Sequence, residues 1–367
     1  MLVLTNRLPL NNADQASPFV VDFLHALQAV GIEVEVFTPQ IGDDSGELGI
    51  PVHRFAWGES QKTLSELSLL KPASWQKIRR YFNAGRKALL DHLADNRYDH
   101  LLALWALPAG WFASEANKEL GIDYSVWALG SDINVWANRP LAGKLVRQAL
   151  EGASHLFADG RELAGKVTEL SHRKCHFLPS FRRLGCQTTK RQRQHFFLCL
   201  GRLERAKGIF DLLQAFAAIN VDISDYRLLF IGDGSQRSRL QRMVKRLKLQ
   251  GKVHVLGYVP CEEIVEYLEK AKAIVIPTRS DSIPLVFGEA LQTSTPMIVT
   301  DVGDLGELVR EYGLGNVVQP GSVSELRDAL LRVMLHDHDI SAPAAELVSQ
   351  FAPESAVARF LEVLNAD

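Results

Sequence analysis

Short apolar runs punctuate the whole chain, separated by stretches with the spacing of one helix each. In the first half they are LVLT (2–5), VEVF (34–37), LLALWA (101–106), YSVWAL (124–129) and HLFAD (155–159). In the second half they are FFLCLG (196–201), YRLLFIG (226–232), KVHVLG (252–257), AIVIP (273–277) and PMIVTD (296–301). Runs this short, apolar throughout and rich in β-branched residues, predict parallel strands covered on both faces. Between them, SPFVVDFLHALQAVG (17–31) places Val20, Phe23, Leu24 and Leu27 on one helical face and stops at Gly31. The second half predicts helices near 208–219, 235–249, 262–271, 284–293, 304–312 and 322–335. The pattern is a doubly wound α/β sheet, present twice.

A chain of 367 residues with 47% apolar composition has room for two cores. Between the halves, FRRLGCQTTKRQRQHF (181–196) lacks an apolar period and any acid, and reads as an exposed basic connection. The boundary is therefore placed at 185/186, with a first domain 1–185 and a second 186–343. The terminal stretch 344–367 is separate: 344–365 is amphipathic through Leu347, Phe351, Val357, Phe360, Leu361 and Leu364. Such a stripe needs a partner surface.

A net charge of -2 gives no global attraction to nucleic acid. Cys175, Cys186, Cys199 and Cys261 are scattered without a C-x-x-C pair, and no histidine stands at metal-ligand spacing from them. This predicts isolated thiols in a reducing compartment, neither a disulfide framework nor a structural zinc site. MLVLTNRLPL enters a strand at once and no apolar run reaches the length of a membrane span, so the expectation is a cytoplasmic chain.

Open parallel sheets bind ligands beyond the carboxyl ends of their strands, which directs attention to the loops there. GRLERAKG sets Arg202 and Lys207 after one strand; they are either a solvated loop or paired cations for a diphosphate. IGDGSQRSRL sets Gly232 and Gly234 before a helix, which suits a tight turn or an anion cradled by free N–H groups. PTRSDSIPLVFGEALQ places Asp281 before a helix start and Glu289 inside the helix, with the N–H groups of Ile283, Pro284's successor Leu285 and Val286 directed to the strand ends. A carboxylate there accepts vicinal hydroxyls, and Asp281 also suits a helix cap. In VWALGSDINVW, Gly130, Ser131 and Asp132 follow a strand, as a turn with a cap or as a loop for a sugar. HDHD (336–339) carries a D-x-D, Asp337 and Asp339, in the setting of a surface loop. The helix WQKIRRYFNAGRKALLDHL (75–93) has a basic face that is either simply solvated or a contact for an anionic membrane.

GRLERAKG, IGDGSQRSRL, VHVLGYVP, SDSIPLVFGEAL and TDVGDLGELV, in this order, resemble the nucleotide-binding domain of the retaining glycosyltransferases of family 4. The first half resembles the same family's acceptor domain more loosely, through LTNRLP, SPFVVDFLHALQAVGIEVEVFTP and ALGSDI. The resemblance implies a GT-B fold: two Rossmann-like doubly wound parallel-sheet domains facing a cleft, with the C-terminal helix crossing back to the N-terminal domain. It implies a metal-independent enzyme without a cofactor that moves a hexose-type sugar from a UDP- or GDP-sugar to a hydroxyl acceptor, with anomeric retention. The acceptor would be a glycan or lipid-linked precursor of an envelope polysaccharide or glycolipid, met in the cytoplasm or at the inner face of the plasma membrane.

By the same resemblance, Arg202 and Lys207 hold the pyrophosphate, Glu289 the ribose hydroxyls, Asp281 the transferred sugar, and the backbone of Tyr258 and Val259 the base. The chain departs from the family where its first acid is Asp281 in place of Glu and where Leu129 stands for a histidine. It also has LPLNNADQ, with Asn11 and Asn12 as candidate ligands, for a glycine-rich loop. A nucleotide-sugar epimerase or hydrolase would need the same diphosphate grip, and the missing histidine raises a non-catalytic partner as a further reading.

Overall fold

The computed structural model describes residues 1–9, 17–42, 48–58, 72–185, 192–219 and 225–366. They form two units, Met1–Ser180 with Pro353–Asp367, and Phe181–Ala352. In the first unit the order is β1 (Leu2–Leu4), α1 (Pro18–Ala29), β2 (Glu35–Pro39), β3 (Val52–Phe55), α2 (Pro72–Asp95), β4 (Leu101–Leu104) and α3 (Trp111–Leu120). It continues through β5 (Tyr124–Ala128), α4 (Pro140–Glu151), β6 (His155–Ala158), α5 (Arg161–Ser171) and β7 (Cys175–Phe177). All seven strands are parallel, in the order β3-β2-β1-β4-β5-β6-β7. The central strands are fully buried, as their unbroken apolar runs require. One face of the sheet is closed by aromatic packing of Phe37, Phe55, Tyr81 and Phe112.

The second unit begins with β8 (Gln194–Leu200) and continues α6 (Ile209–Ala217), β9 (Arg227–Ile231), α7 (Arg237–Arg246), β10 (Val253–Gly257), α8 (Cys261–Lys270) and β11 (Ala271–Ile276). It closes with α9 (Leu285–Gln292), β12 (Met297–Thr300), α10 (Leu305–Glu311), β13 (Gly315–Val318), α11 (Val323–Leu335) and α12 (Ser341–Phe351). Its parallel sheet runs β10-β9-β8-β11-β12-β13. Consecutive strands move outward from β8 to β10, then the chain returns to the other side of β8 for β11. The strand order reverses between β8 and β11, the position at which open parallel sheets place a ligand crevice.

The terminal stretch is two helices, not the single helix expected over 344–365. Pro353 has no N–H to continue α12, and Ala352 before it is extended (φ -50°, ψ 147°). The apolar stripe is divided accordingly. Leu347 and Phe351 are buried on α12 in the second unit, where Phe351 meets Phe287. α13 (Pro353–Leu364) belongs to the first unit, and its Phe360 packs on Phe23 of α1 and on Phe157.

The connection 181–196 also differs from its expected exposure. Phe181 and Leu184 are buried, so the second unit begins at Phe181, before the expected boundary at 185/186. Just before β8, Arg193 clamps five carbonyls: those of Leu268, Glu269, Ala271, Thr293 and Ser294, at 2.6–3.4 Å. Basic residues without a period read as solvent-facing, whereas a guanidinium that satisfies several buried carbonyls belongs inside.

His100 precedes β4, buried, with Nε2 2.8 Å from Ser125 Oγ. Burial, reinforced by the charges of His155 and the chain's amino terminus, pulls its pKa down to about 4. An unfolded imidazole titrates near about 6.5, so between these values the unfolded chain binds more protons than the folded one. Stability therefore falls as pH drops through this window, by roughly 3 kcal/mol from this residue at most. We expect His100→Gln, which keeps a polar partner for Ser125, to show a smaller loss of denaturation midpoint than the parent between about pH 7 and pH 4.5. Equal losses would remove His100 from the acid response.

Candidate active site

The crevice of the second unit is walled by the loop after β8 and the loop after β11, and the two are tied together by backbone. Arg279 N donates to Ala206 O at 2.7 Å, and Thr278 Oγ1 lies 3.3 Å from the same oxygen. Gly208 makes the approach possible: its φ is +65°, and a Cβ there would lie 1.8 Å from Pro277 O. Lys207 and Asp281 face each other across this seam. The ammonium donates to both carboxylate oxygens at 2.7 Å, and Thr278 Oγ1 donates to Asp281 Oδ2 at 2.5 Å. Asp281 does not cap α9; Pro284 occupies the position before that helix, and among the described residues no side chain bonds its first turn. The N–H groups of Leu285 and Val286 thus start a helix with its positive end directed at the crevice. Ile283 is buried, and Ser282 Oγ is buried without a hydrogen-bond partner among the described residues. Arg202 lies exposed on the loop that carries Lys207.

Glu289 lies on the buried face of α9, 5% exposed. Its Oε1 accepts from Arg182 Nη1 at 3.1 Å, and Arg182 Nη2 donates to Cys261 Sγ at 2.9 Å. Burial pushes the Glu289 carboxyl above the usual carboxylate range, and the Arg182 guanidinium pulls against that shift. Arg182 is held by its own backbone: Gln292 on α9 donates to Arg182 O at 2.8 Å and accepts from Leu184 N at 3.0 Å. At Gly288 a Cβ would meet the Phe181 ring at 2.9 Å, so a glycine is needed for that ring to lie against the helix.

The Gly232–Gly234 turn is used differently from an open anion cradle. Gly232 N donates to Gly257 O at 2.7 Å, Gly234 N to Asp233 Oδ1 at 2.7 Å, and Ser235 N to Glu204 Oε1 at 2.7 Å. Ser235 Oγ donates to the other Glu204 oxygen at 2.7 Å, and these bonds hold Glu204 below the usual carboxylate range. Carboxylates of the chain itself already take the N–H groups of Gly234 and Ser235. Beyond β10, Tyr258 is 60% exposed and Val259 buried, so the segment presents its backbone and one aromatic ring at the strand end.

In the first unit, Asp132 is fully buried. It accepts from Ala106 N at 2.7 Å and Leu129 N at 3.2 Å, joining the loops after β4 and β5. Burial raises its pKa against these backbone donors. Asp132 therefore shapes the loop, in which Gly130 (φ +97°) is buried and Ser131 exposed. Asn6, after β1, adds a second clamp, donating to Leu107 O and accepting from Ala109 N, both at 3.2 Å. Asn11 and Asn12 lie outside the described residues.

Comparison with known proteins accounts for both units. The family description "Glycosyl transferase 4-like domain" matches residues 16–179, and "Glycosyl transferases group 1" matches residues 185–346. The chain belongs to the family 4-like, GT-B glycosyltransferases. Among relatives of this glycosyltransferase, TuaC of Bacillus subtilis (strain 168), named for teichuronic acid biosynthesis, is 30% identical over 64% of this chain. That alignment spans 61% of TuaC, under two thirds of its length. N-acetyl-alpha-D-glucosaminyl L-malate synthase of Bacillus anthracis is 22% identical over 71% of this chain and 73% of its own. Among solved structures, sucrose-phosphate synthase of Thermosynechococcus elongatus matches with a TM-score of 0.80 at 19% identity, covering 99% of this chain and 97% of that one. HepE of Anabaena in complex with UDP matches with a TM-score of 0.76 at 15% identity, covering 100% and 99%. These likenesses establish the fold.

Sequence reasoning about this glycosyltransferase missed Arg182, Glu204, Thr278 and Ser282. The first two had no legible signal, since their partners come from loops far along the chain. Thr278 and Ser282 flank Asp281 in sequence, and their hydroxyls beside a candidate sugar-binding acid were a signal that could have been read. Among the described residues Asp337 is a surface ion pair with Lys272, and Asp339 caps the start of α12 through Ser341. No helix among the described residues is long and apolar enough to cross a membrane.

Proposed function

We propose that the chain transfers a hexose-type sugar, with anomeric retention and without a metal ion, from a UDP- or GDP-sugar to a hydroxyl acceptor. The supporting observation is the Lys207–Asp281 pair at the seam of the two crevice loops, next to the uncapped start of α9. In this reading a diphosphate takes the ammonium from Asp281, and Asp281 turns to the hydroxyls of the sugar. The Leu285 and Val286 N–H groups and exposed Arg202 complete the positive surround. As the bond from the anomeric carbon to the diphosphate oxygen breaks, charge grows on the leaving group, and preorganised cations stabilise that growth. The acceptor oxygen bonds to the same carbon on the face the diphosphate leaves, and its proton passes to a departing phosphate oxygen. Glu289, oriented by Arg182, binds the ribose hydroxyls, and the Tyr258–Val259 backbone the base.

The acceptor class, an envelope polysaccharide or glycolipid precursor, rests on the relative named for teichuronic acid biosynthesis. Incubation of UDP- and GDP-sugars with and without glycan acceptors tests the reading. Release of UDP or GDP should require an acceptor, and the product should keep the donor's anomeric configuration. Equal conversion without acceptor would replace transfer by hydrolysis or epimerisation. The matching nucleoside diphosphate should also raise the thermal midpoint, with about 2.7 kcal/mol of stabilisation at a hundredfold excess over Kd.

A further inference from the structure

A second cluster of chemistry-bearing side chains lies in the first unit, at the amino ends of its strands. Glu35 opens β2, His53 lies near the start of β3, and His92 is in the last turn of α2. We propose that these three side chains bind a divalent transition-metal ion of the zinc class. Their ligand atoms all lie within 4.8 Å of one another. His53 Nε2 is 2.6 Å from Glu35 Oε2, and the His53 and His92 rings are 4.1 Å apart between centroids. Tyr98 bridges the rest: its hydroxyl donates to Glu35 Oε2 at 2.7 Å, so its oxygen accepts from His92 Nε2 at 2.8 Å.

Two imidazoles and one carboxylate form a ligand set suited to zinc, cobalt or nickel; magnesium and calcium prefer oxygen throughout. Around a tetrahedral ion, ligand atoms about 2.0–2.1 Å from the metal stand roughly 3.3 Å apart. The present spread closes to that by side-chain rotation, and Glu35 and His53 are 36% and 37% exposed, so both can turn and an ion can enter. An ion seated among the three side chains would take the place of the His53–Glu35 hydrogen bond, with Tyr98 or a water at the fourth position. It would clip β2, β3 and α2 together at the edge of the sheet opposite the strand carboxyl ends. The clip is a structural or regulatory site, separate from the transfer chemistry.

The test uses untagged full-length protein stripped with a chelator and titrated with zinc by calorimetry and with cobalt by visible absorption. One equivalent should bind with micromolar affinity or better, cobalt should give ligand-field bands, and zinc should raise the thermal midpoint. His53→Ala, at a half-exposed position that leaves the core intact, should weaken binding at least tenfold, and Glu35→Gln and His92→Ala should do the same. His336→Ala/His338→Ala, in the surface HDHD segment, should keep the equivalent. Millimolar or weaker binding, or an unchanged titration in folded His53→Ala, would overturn the site.

Discussion

Lys207→Ala should lower turnover by about 10²–10³-fold in a chain that remains folded. The ammonium sits on Asp281 at 2.7 Å, so its loss removes a charge from the crevice. Because the diphosphate gains charge as the glycosidic bond breaks, the missing cation is felt more in the transition state than in the bound donor. The fall should therefore be mainly in kcat, with a smaller rise in KM for the donor. Asp281→Asn is the informative companion. It frees the ammonium from its carboxylate, so UDP or GDP alone should bind at least as tightly as to the parent. Turnover should nevertheless fall, since the sugar loses a charged acceptor for its hydroxyls. Calorimetry with the free nucleoside diphosphates and steady-state rates with donor and acceptor separate the two effects. Parent-like kcat in folded Lys207→Ala would end the role given to the pair, as would weaker diphosphate binding in Asp281→Asn.

The parts of the fold visible in the sequence are those where burial on both faces left an unbroken apolar run. β1, β2, β4 to β6, β8, β9, β11 and β12 announce themselves this way, and the edge strand β10 is legible through its VHVL run although it is only partly buried. The three strands that escaped notice are β3 (VHRF), β7 (CHF) and β13 (GNVV), and each is the edge of its sheet. An edge strand has one neighbour and an exposed flank, so it carries polar residues and is short. Its periodicity then fails to separate it from a loop.

The site shows the same division. Lys207 and Asp281 are legible because position after a strand is a strong prior, and the structure brings them together. Their mutual pairing is not legible, since it depends on how two loops distant in sequence meet. Gly232 and Gly234 read as an anion cradle from local pattern alone, and Glu204, from another loop, occupies part of it. The Glu35–His53–His92 cluster is the extreme case. Its members come from two strands and a helix, one of them an edge strand, so no spacing rule connects them.

Arg182→Ala should destabilise the fold by about 3–5 kcal/mol at neutral pH, because it leaves a buried carboxylate without its partner. Both side chains are deeply placed, 11% and 6% exposed, and Glu289 stands on the face of α9 that packs into the core. The loss should depend on pH with a defined sign. Burial already holds the Glu289 carboxyl above the ordinary carboxylate range, and removal of the guanidinium lets it rise further. A carboxyl whose folded pKa exceeds its unfolded value keeps its proton longer in the native state. Stability then falls as pH climbs from about 4.3 to the folded pKa. The deficit of Arg182→Ala relative to the parent should therefore be larger near pH 8 than near pH 5, where the protonated acid needs no counter-charge. Adding Glu289→Gln to Arg182→Ala should recover much of the loss at high pH, since a neutral amide is less costly to bury than an unpaired carboxylate. Chemical denaturation of the three variants at both pH values gives the comparison. A deficit under about 1 kcal/mol, or one equal at both pH values, would show that Arg182 is not what keeps Glu289 ionised. If the predicted pattern holds, the residue that keeps Glu289 ionised comes from the segment that looked most like a solvated linker.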